Sequence, residues 1–513
     1  MSDRQNTPVS WTLRKRFWNR IATSKFRANK PADIPIPGDN ARQIKAVPLV
    51  SQFPGIPISN IVVADFVPDD EASRLKYLFY EFQVATYSYY PPMQSGLPSI
   101  NADPEKALHE AYTARHRKYF PAPVLPKEYD GEKKPDLGVL AVGGPYACYL
   151  EKAPEGGYQW DLRDLDNYEH YEGLYSLGVR VQFRVDEPSR ALRAYQIESE
   201  LGVHAPTDPE WPLATKIVLC AVSTHVSLVR HFNWVHLASG AQLAIATRNH
   251  LPKDHPLCRL LWPHIFGTQY SNEIVTKGQM AKGGDFDSIF SFTHNGMCKL
   301  FERSYDAFTI VVNDPERDAD RRGITDGEFD TPSLDNLKAL FDVMHTHAKR
   351  YVGAYYNTDK ELRKDEHVQN WLAQLDKITP NGLEGMVGND VTLAKVSRLI
   401  ASYIYLVTVQ HELVGTFMWN YQMWVHKQPA RVYKDGRRET LDVYQRLVNA
   451  NFNLNVSRKK LMDDFSYLAL DQKGVDAFRA FREELKALQA KMEEEEFAFW
   501  KIYPRMLEAN INA

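Results

Sequence analysis

Between Thr224 and His264 the sequence reads THVSLVRHFNWVHLASGAQLAIATRNHLPKDHPLCRLLWPH. This stretch holds six of the chain's 16 histidines: His225, His231, His236, His250, His255 and His264. Imidazole is the commonest protein ligand for transition metals, and in its neutral form it holds a redox-active ion without adding charge. Any one of these residues alone reads as a core or surface histidine satisfying a backbone group. Six within an apolar, aromatic-rich segment predict a buried metal site instead. Two further constellations compete. His345 and His347 (HTH) read as a solvated helix face, and Gly143-Gly144 lacks the strand-to-helix context of a phosphate loop and reads as a turn.

The elements that must position these groups are helices. Leu213 to His236 is apolar nearly all round, a pattern that belongs in the middle of a large domain. On a regular α-helix, His231 and His236 would point roughly 140° apart and could not share an ion. A π-bulge, with its i→i+5 hydrogen bond, brings such a pair to one side, so a shared site requires one here. A second long apolar helix is expected from about Thr392 to Trp424, with His411 as its only histidine. Glu412 is adjacent to His411 and would point about 100° away, which argues against a two-His-one-carboxylate triad. The tail, FAFWKIYPRMLEANINA, is apolar and aromatic to Ala513, which predicts a buried C-terminus.

The histidine series resembles that of the lipoxygenase family of non-haem metal dioxygenases. Its histidines are separated in turn by four, four, seventeen and eight residues. Here five residues separate His225 from His231, four His231 from His236, eighteen His236 from His255, and eight His255 from His264. The lead-in WPLATK at 211–216, the AIATRNHL segment and HPLCRLLWPH match as well. The resemblance implies a mainly α fold: one large helical catalytic domain over 41–513 with minor β segments, a basic extension over 1–40, and no N-terminal lipid-binding β-barrel.

It also implies a ligand set of His231, His236, His411 and the terminal carboxylate of Ala513, holding one non-haem Fe per chain, with Mn able to take the same ligands. His225, His255 and His264 would support the ligands from behind. Trp234, Ala281, Gly283, Phe417, Met418 and Trp419 would line a substrate channel. The implied reaction inserts O2 into a polyunsaturated fatty acid to give a hydroperoxide, after hydrogen-atom abstraction by a ferric hydroxide, with no side chain acting as acid or base. Alternative readings keep the metal but change the unsaturated substrate, isomerise a hydroperoxide, or leave a metal-binding protein without turnover. The sequence departs from the family pattern at Gly415, where a weak side-chain ligand is usual, and at Val226 and Met418, where glutamines are usual.

Composition bounds the rest. At 513 residues the chain can enclose a deep pocket. A formal net charge of −3 gives no pull toward nucleic acid. Cys148, Cys220, Cys258 and Cys298 are widely spaced and read as reduced thiols, and no run of 18 apolar residues suggests a span, so a cytoplasmic protein is expected. The basic segment RKRFWNRIATSKFRANK at 14–30 reads as a solvated arm, with weak membrane-surface contact as the alternative. The Pro-rich residues 31–65 read as an extended wrap, 69–120 as partly helical, and 174–185 as strand. TKGQMAKGGDFDS and NDPERDADRRGITDGEFDTPS read as polar linkers.

Overall fold

The computed structural model describes residues 33–39, 42–72, 135–387, 390–415, 427–436, 459–495 and 500–511, together with 418, 421, 422, 424 and 498. The basic arm and nearly all of the helical patterning expected over 69–120 lie outside the described residues. So do Phe417, Trp419 and Ala513.

A 40-residue helix, Trp211–His250, forms the axis of the fold. Pro212 in its first turn is preset for helix entry and has no N–H to leave unpaired. The helix is α over Trp211–His225, π over Val226–Gly240 and α again over Ala241–His250. Apolar all round in sequence, it is buried all round in space from Ala214 onward, with few exceptions. Contrary to the sequence reading, this helix is apolar and long enough by composition to cross a membrane. Yet 72% of its most apolar window is buried inside the protein, so the protein's own elements satisfy its hydrophobicity.

A second helix beside it is α over Leu393–Tyr405, π over Leu406–Gln410 and α over His411–Val414. Thr392 caps its start by accepting from the Lys395 N–H at 3.2 Å. The helices Pro332–Tyr355 and Gln472–Glu494 pack outside it.

The β content is a two-stranded ribbon, β1 (Ala46–Pro48) with β2 (Val62–Ala64), and a five-stranded antiparallel sheet. In that sheet β3 (Glu151–Lys152), β4 (Tyr158–Asp161), β5 (Arg180–Asp186), β6 (Ala191–Ser199) and β7 (Gly202–His204) follow one another in order. The strand expected over 174–185 is β5, beginning at Arg180. Its neighbours are short and mixed in character, so alternation alone does not reveal them.

The wrap over 33–65 is a structural strap. Ile34, Leu49, Ile56, Ile58 and Ile61 are buried in the main core, each contributing up to about 1.5–3 kcal/mol, and Ile44 is buried beside them in sequence. Backbone groups anchor it: the Trp262 indole N–H donates to the Pro35 carbonyl at 2.6 Å, and Asn249 pairs with both backbone groups of Ile44 at 2.8 Å.

Two expected linkers are helical. Thr276–Met280 is a π-turn and Pro315–Arg322 a helix, the latter capped by Asp314 accepting from the Arg317 N–H and closed by Gly323 at φ +69°. Charge density there misled the reading, whereas the caps are plain in the sequence. His347, expected on a solvated face, is fully buried and stacks on Phe481 with ring centroids 4.1 Å apart.

Candidate metal centre

Two of the three π segments among the described residues belong to the two elements that carry the candidate ligands. Along Val226–Gly240 the widened turn places His231 and His236 together, with their Nε2 atoms 3.3 Å apart. The Leu406–Gln410 π-turn immediately precedes His411. The three rings form a near-equilateral triangle, with centroids 5.1 Å (231–236), 5.0 Å (231–411) and 5.3 Å (236–411) apart. One nitrogen from each lies within 4.8 Å of the other two. Imidazole nitrogens bound about 2.1 Å from one ion are separated by roughly 3–4 Å, so a modest closure of the triangle suits a single metal.

His236 is oriented by Asn272. The His236 Nδ1–H donates to Asn272 Oδ1 at 3.0 Å, and Asn272 Nδ2 donates to the His236 carbonyl at 3.1 Å. This fixes the tautomer and leaves the Nε2 lone pair toward the other two rings. The sequence reading missed Asn272. The available signal was a cluster of polar residues, Thr268, Gln269, Ser271 and Asn272, on a short helix whose turns are nonetheless buried.

The other histidines of the series brace the scaffold. His225 Nδ1 pairs with the Tyr149 hydroxyl at 2.7 Å, and burial, with Arg230 nearby, pushes its pKa down to about 3. His255 accepts the Leu257 N–H as the cap of Pro256–Ile265 and pairs with Asp365 at 3.2 Å. Burial lowers its pKa against the pull of Asp365. His264 donates to the Ala509 carbonyl at 2.8 Å and is held neutral by burial, its pKa pushed down to about 4. These contacts run to neighbouring elements: His225 and His255 secure helix ends, while His264 anchors the tail.

That tail is buried along its described length: Ile502, Tyr503, Leu507, Ala509 and Ile511 are in the core. Asn510 Nδ2 donates to the Pro263 carbonyl at 3.0 Å. Ile511 lies against Gly240, where an added Cβ would meet its Cδ1 at 2.8 Å, so the chain reaches the π-helix two residues before Ala513.

Gly415 sits at the edge of the triangle. A Cβ there would meet His231 Nε2 at 2.9 Å and the His411 carbonyl at 2.6 Å. Of the expected channel residues, Met418 is buried, and Trp234 is half-buried with its indole N–H donating to the Ser304 carbonyl at 2.8 Å. Gly283 is instead on the surface at φ +76°, with open space where a side chain would go, and Ala281 belongs to the same loop. Val226 and Met418 leave the usual glutamine positions apolar. Gln422 supplies a tie to the π-helix, donating to Ser227 Oγ at 2.6 Å and to the Ser223 carbonyl at 3.2 Å.

The sequence profile of the Lipoxygenase family matches residues 188–457, just over half of the chain and the stretch that holds all three imidazoles. The chain belongs to the lipoxygenase family. Among curated lipoxygenases, a polyunsaturated fatty acid lipoxygenase of Oryctolagus cuniculus is 26% identical over 248 residues, 46% of this chain and 37% of that protein. An epidermal-type polyunsaturated fatty acid (12S)/(13S)-lipoxygenase of Mus musculus is 24% identical over 311 residues, 56% of this chain and 46% of that protein. The matched stretches thus cover less than half the length of these relatives. Solved lipoxygenases share the fold. One crystallised anaerobically with arachidonate superimposes with a TM-score of 0.73 at 16% identity, over 93% of this chain and 84% of that one. Coral 8R-lipoxygenase gives 0.73 at 17% identity, over 87% and 77%. The helical body read from the sequence is this lipoxygenase catalytic fold.

Proposed function

We propose that this lipoxygenase is an iron dioxygenase that converts a polyunsaturated fatty acid to its hydroperoxide, with residues 41–513 as the catalytic body. The observation that carries the reading is the triangle of half-buried His231 with buried His236 and His411, on two helices that each adopt a π-turn at or beside the ligands. The donor set fits iron: three imidazoles gathered in a largely apolar surround, with the tail buried against the ligand helix as far as Ile511. Bound iron supplies one-electron redox chemistry for removing a hydrogen atom from a doubly allylic carbon. The chain's own residues do the rest. Asn272 holds the His236 ring in register. His264 and Asn510 hold the tail against the helix Pro256–Ile265, and Ile511 packs at Gly240 of the ligand helix. The apolar residues around the triangle keep bulk water from a carbon-centred radical. Manganese would use the same donors.

Gly415 favours one variant of this reading. With no side chain at that position and no room for one, the ligand set is poorer than the family's usual, which suits rearrangement of a hydroperoxide as well as oxygenation. The test is metal content by mass spectrometry on the purified chain, then O2 uptake and conjugated-diene formation with linoleate and arachidonate. Iron with O2 uptake supports the dioxygenase. Iron with hydroperoxide consumption and no O2 uptake supports the rearrangement. Zinc, or metal well below one per chain, overturns both.

A further inference from the structure

The helix Thr268–Val275, which carries Asn272, starts from Gly267 at φ +86°. A glycine has no side chain to accept the orphan N–H groups of a first turn. The acceptor comes from far away in the chain. Glu71, just past the N-terminal strap, accepts the Gln269 N–H at 3.0 Å and the Tyr270 N–H at 3.1 Å, both on Oε2. These are the second and third amides of the helix, the ones a capping side chain takes. An anion there also suits the positive end of the helix dipole.

The other carboxylate oxygen faces the ligand helix. Glu71 Oε1 accepts from Arg248 Nη2 at 2.6 Å, and the two side chains are 0% and 2% exposed. Burying a carboxylate is costly unless its lone pairs are met, and three donors meet these. Two further bonds tie the capped helix to the ligand helix: Gln269 Nε2 donates to the Ala241 carbonyl and Asn272 Nδ2 to the His236 carbonyl, each at 3.1 Å. The His236 carbonyl also takes the Ala241 N–H, an i→i+5 bond of the π segment. Glu71 thus closes a ring of contacts that runs from Arg248 through the capped turn to Asn272 and back to His236.

We propose that Glu71 is a positioning residue of the metal centre: by capping Thr268–Val275 it sets where Asn272 stands, and through Asn272 the orientation of the His236 ring. An ion pair that only fastened the strap would need only the oxygen facing Arg248, and Asp70 already pairs with Arg248 at 3.2 Å from a more exposed place. The oxygen given to the two amides is the one that reaches the site. The inference rests on the metal reading above for what His236 holds, but the orientation of the ring can be read without metal.

Two variants of the full chain separate the cap from the ion pair. Glu71→Gln keeps an oxygen within reach of both amides but loses the charge, whereas Glu71→Asp keeps the charge and, one methylene shorter, withdraws from the amides. Co(II) affinity is measured by competition with a chelator. Glu71→Asp is expected to lower it roughly three- to tenfold, a share of the 10- to 100-fold expected from losing Asn272 itself. Glu71→Gln should stay within about twofold of wild type even if its urea midpoint falls, and Glu71→Asp should add less than about twofold once Asn272→Ala is present, because the two act in series. Leu49→Ala loosens the strap elsewhere, and should lower the urea midpoint with Co(II) affinity unchanged. In the metal-free chain with isotope-labelled histidine, the His236 Nδ1–H resonance, assigned by its loss in His236→Gln, should persist in Glu71→Gln and weaken or split in Glu71→Asp. Wild-type affinity in Glu71→Asp overturns the proposal, as does Glu71→Gln binding as weakly as Glu71→Asp. So do additive losses with Asn272→Ala, an equal loss in Leu49→Ala, or an unaltered His236 resonance in Glu71→Asp. If wild type binds no Co(II), the metal reading fails and the resonance still decides the role of Glu71; if affinity and resonance both ignore Glu71, the metal reading stands without it.

Discussion

Replacing Gly415 by alanine tests how tightly the candidate metal centre is built. The new Cβ would lie 2.9 Å from His231 Nε2 and 3.1 Å from its Cε1, where ordinary contact begins near 3.4 Å. The ring must therefore retreat by about half an ångström, while metal–ligand distances hold to within about 0.2 Å. Nor can the backbone give way easily, because the same Cβ meets the His411 carbonyl at 2.6 Å and the Gly415 N–H donates to that carbonyl at 2.8 Å. Moving either one disturbs a second ligand. The expected outcome is a metal affinity lowered about 10- to 100-fold, the usual consequence of disturbing a ligand's support. Overpacking should also cost about 1–3 kcal/mol of stability. Affinity is read by competition with a chelator, stability by urea unfolding of the metal-free chain. Gly415→Asn supplies the donor that relatives carry, but through the same crowded Cβ, and should behave no better. Wild-type affinity in Gly415→Ala, or tighter metal in Gly415→Asn, would refute the geometry.

Three other outcomes follow from the same contacts. Asn272→Ala removes the acceptor of His236 Nδ1–H and the donor to the His236 carbonyl, so metal affinity should fall about 10- to 100-fold in the chelator assay; no change would mean that Asn272 does not set the ring. Gly240→Val pushes against the Val235 carbonyl and Ile511, and should cost about 1–3 kcal/mol and expose the tail to carboxypeptidase; an uncut tail with an unchanged Tm would argue against that contact. His264 and His347 are neutral in the fold, with burial holding their pKa values down to about 4 and about 3 from 6.5. Only the unfolded chain takes up their protons just below pH 6.5, so their stabilisation is full above that pH and is lost as pH falls toward 4. The loss is about 1.4 kcal/mol per pH unit for each, or about 2 kcal/mol each at pH 5. Urea midpoints between pH 7 and 5 check this, and His347→Phe should flatten the slope; an equal slope would show that His347 is not buried neutral.

The sequence was most legible where a chemical requirement fixed the geometry. Two imidazoles five residues apart could share an ion only through a π-turn, and Val226–Gly240 is π-helical. The apolar tail implied a buried C-terminus, and it is buried as far as Ile511. Legibility failed where charge hid structure. Asp314, Pro315 and Gly323 bound a helix within a segment so acidic and basic that it read as linker. His347 looked solvated because its own helix is mixed, and only the packing of Phe478 and Phe481 from a helix more than 130 residues away encloses it. Long-range partners of that kind leave no local period to read.

The three imidazoles and the tail explain one another. The rings of buried His236 and His411 and half-buried His231 meet, with the Nε2 atoms of His231 and His236 3.3 Å apart. The Nδ1–H that His236 gives to Asn272 leaves its Nε2 lone pair facing the other rings, the arrangement that a shared cation would use. The chain brings its terminal segment to that place by an unusual route: His264 and Asn510 fasten the last residues to the helix that follows the ligand helix, and Gly240 lets Ile511 pass with no Cβ in the way. Two π-turns, one glycine and one carbonyl-bound histidine thus converge on one place, the three imidazoles that would hold a shared cation.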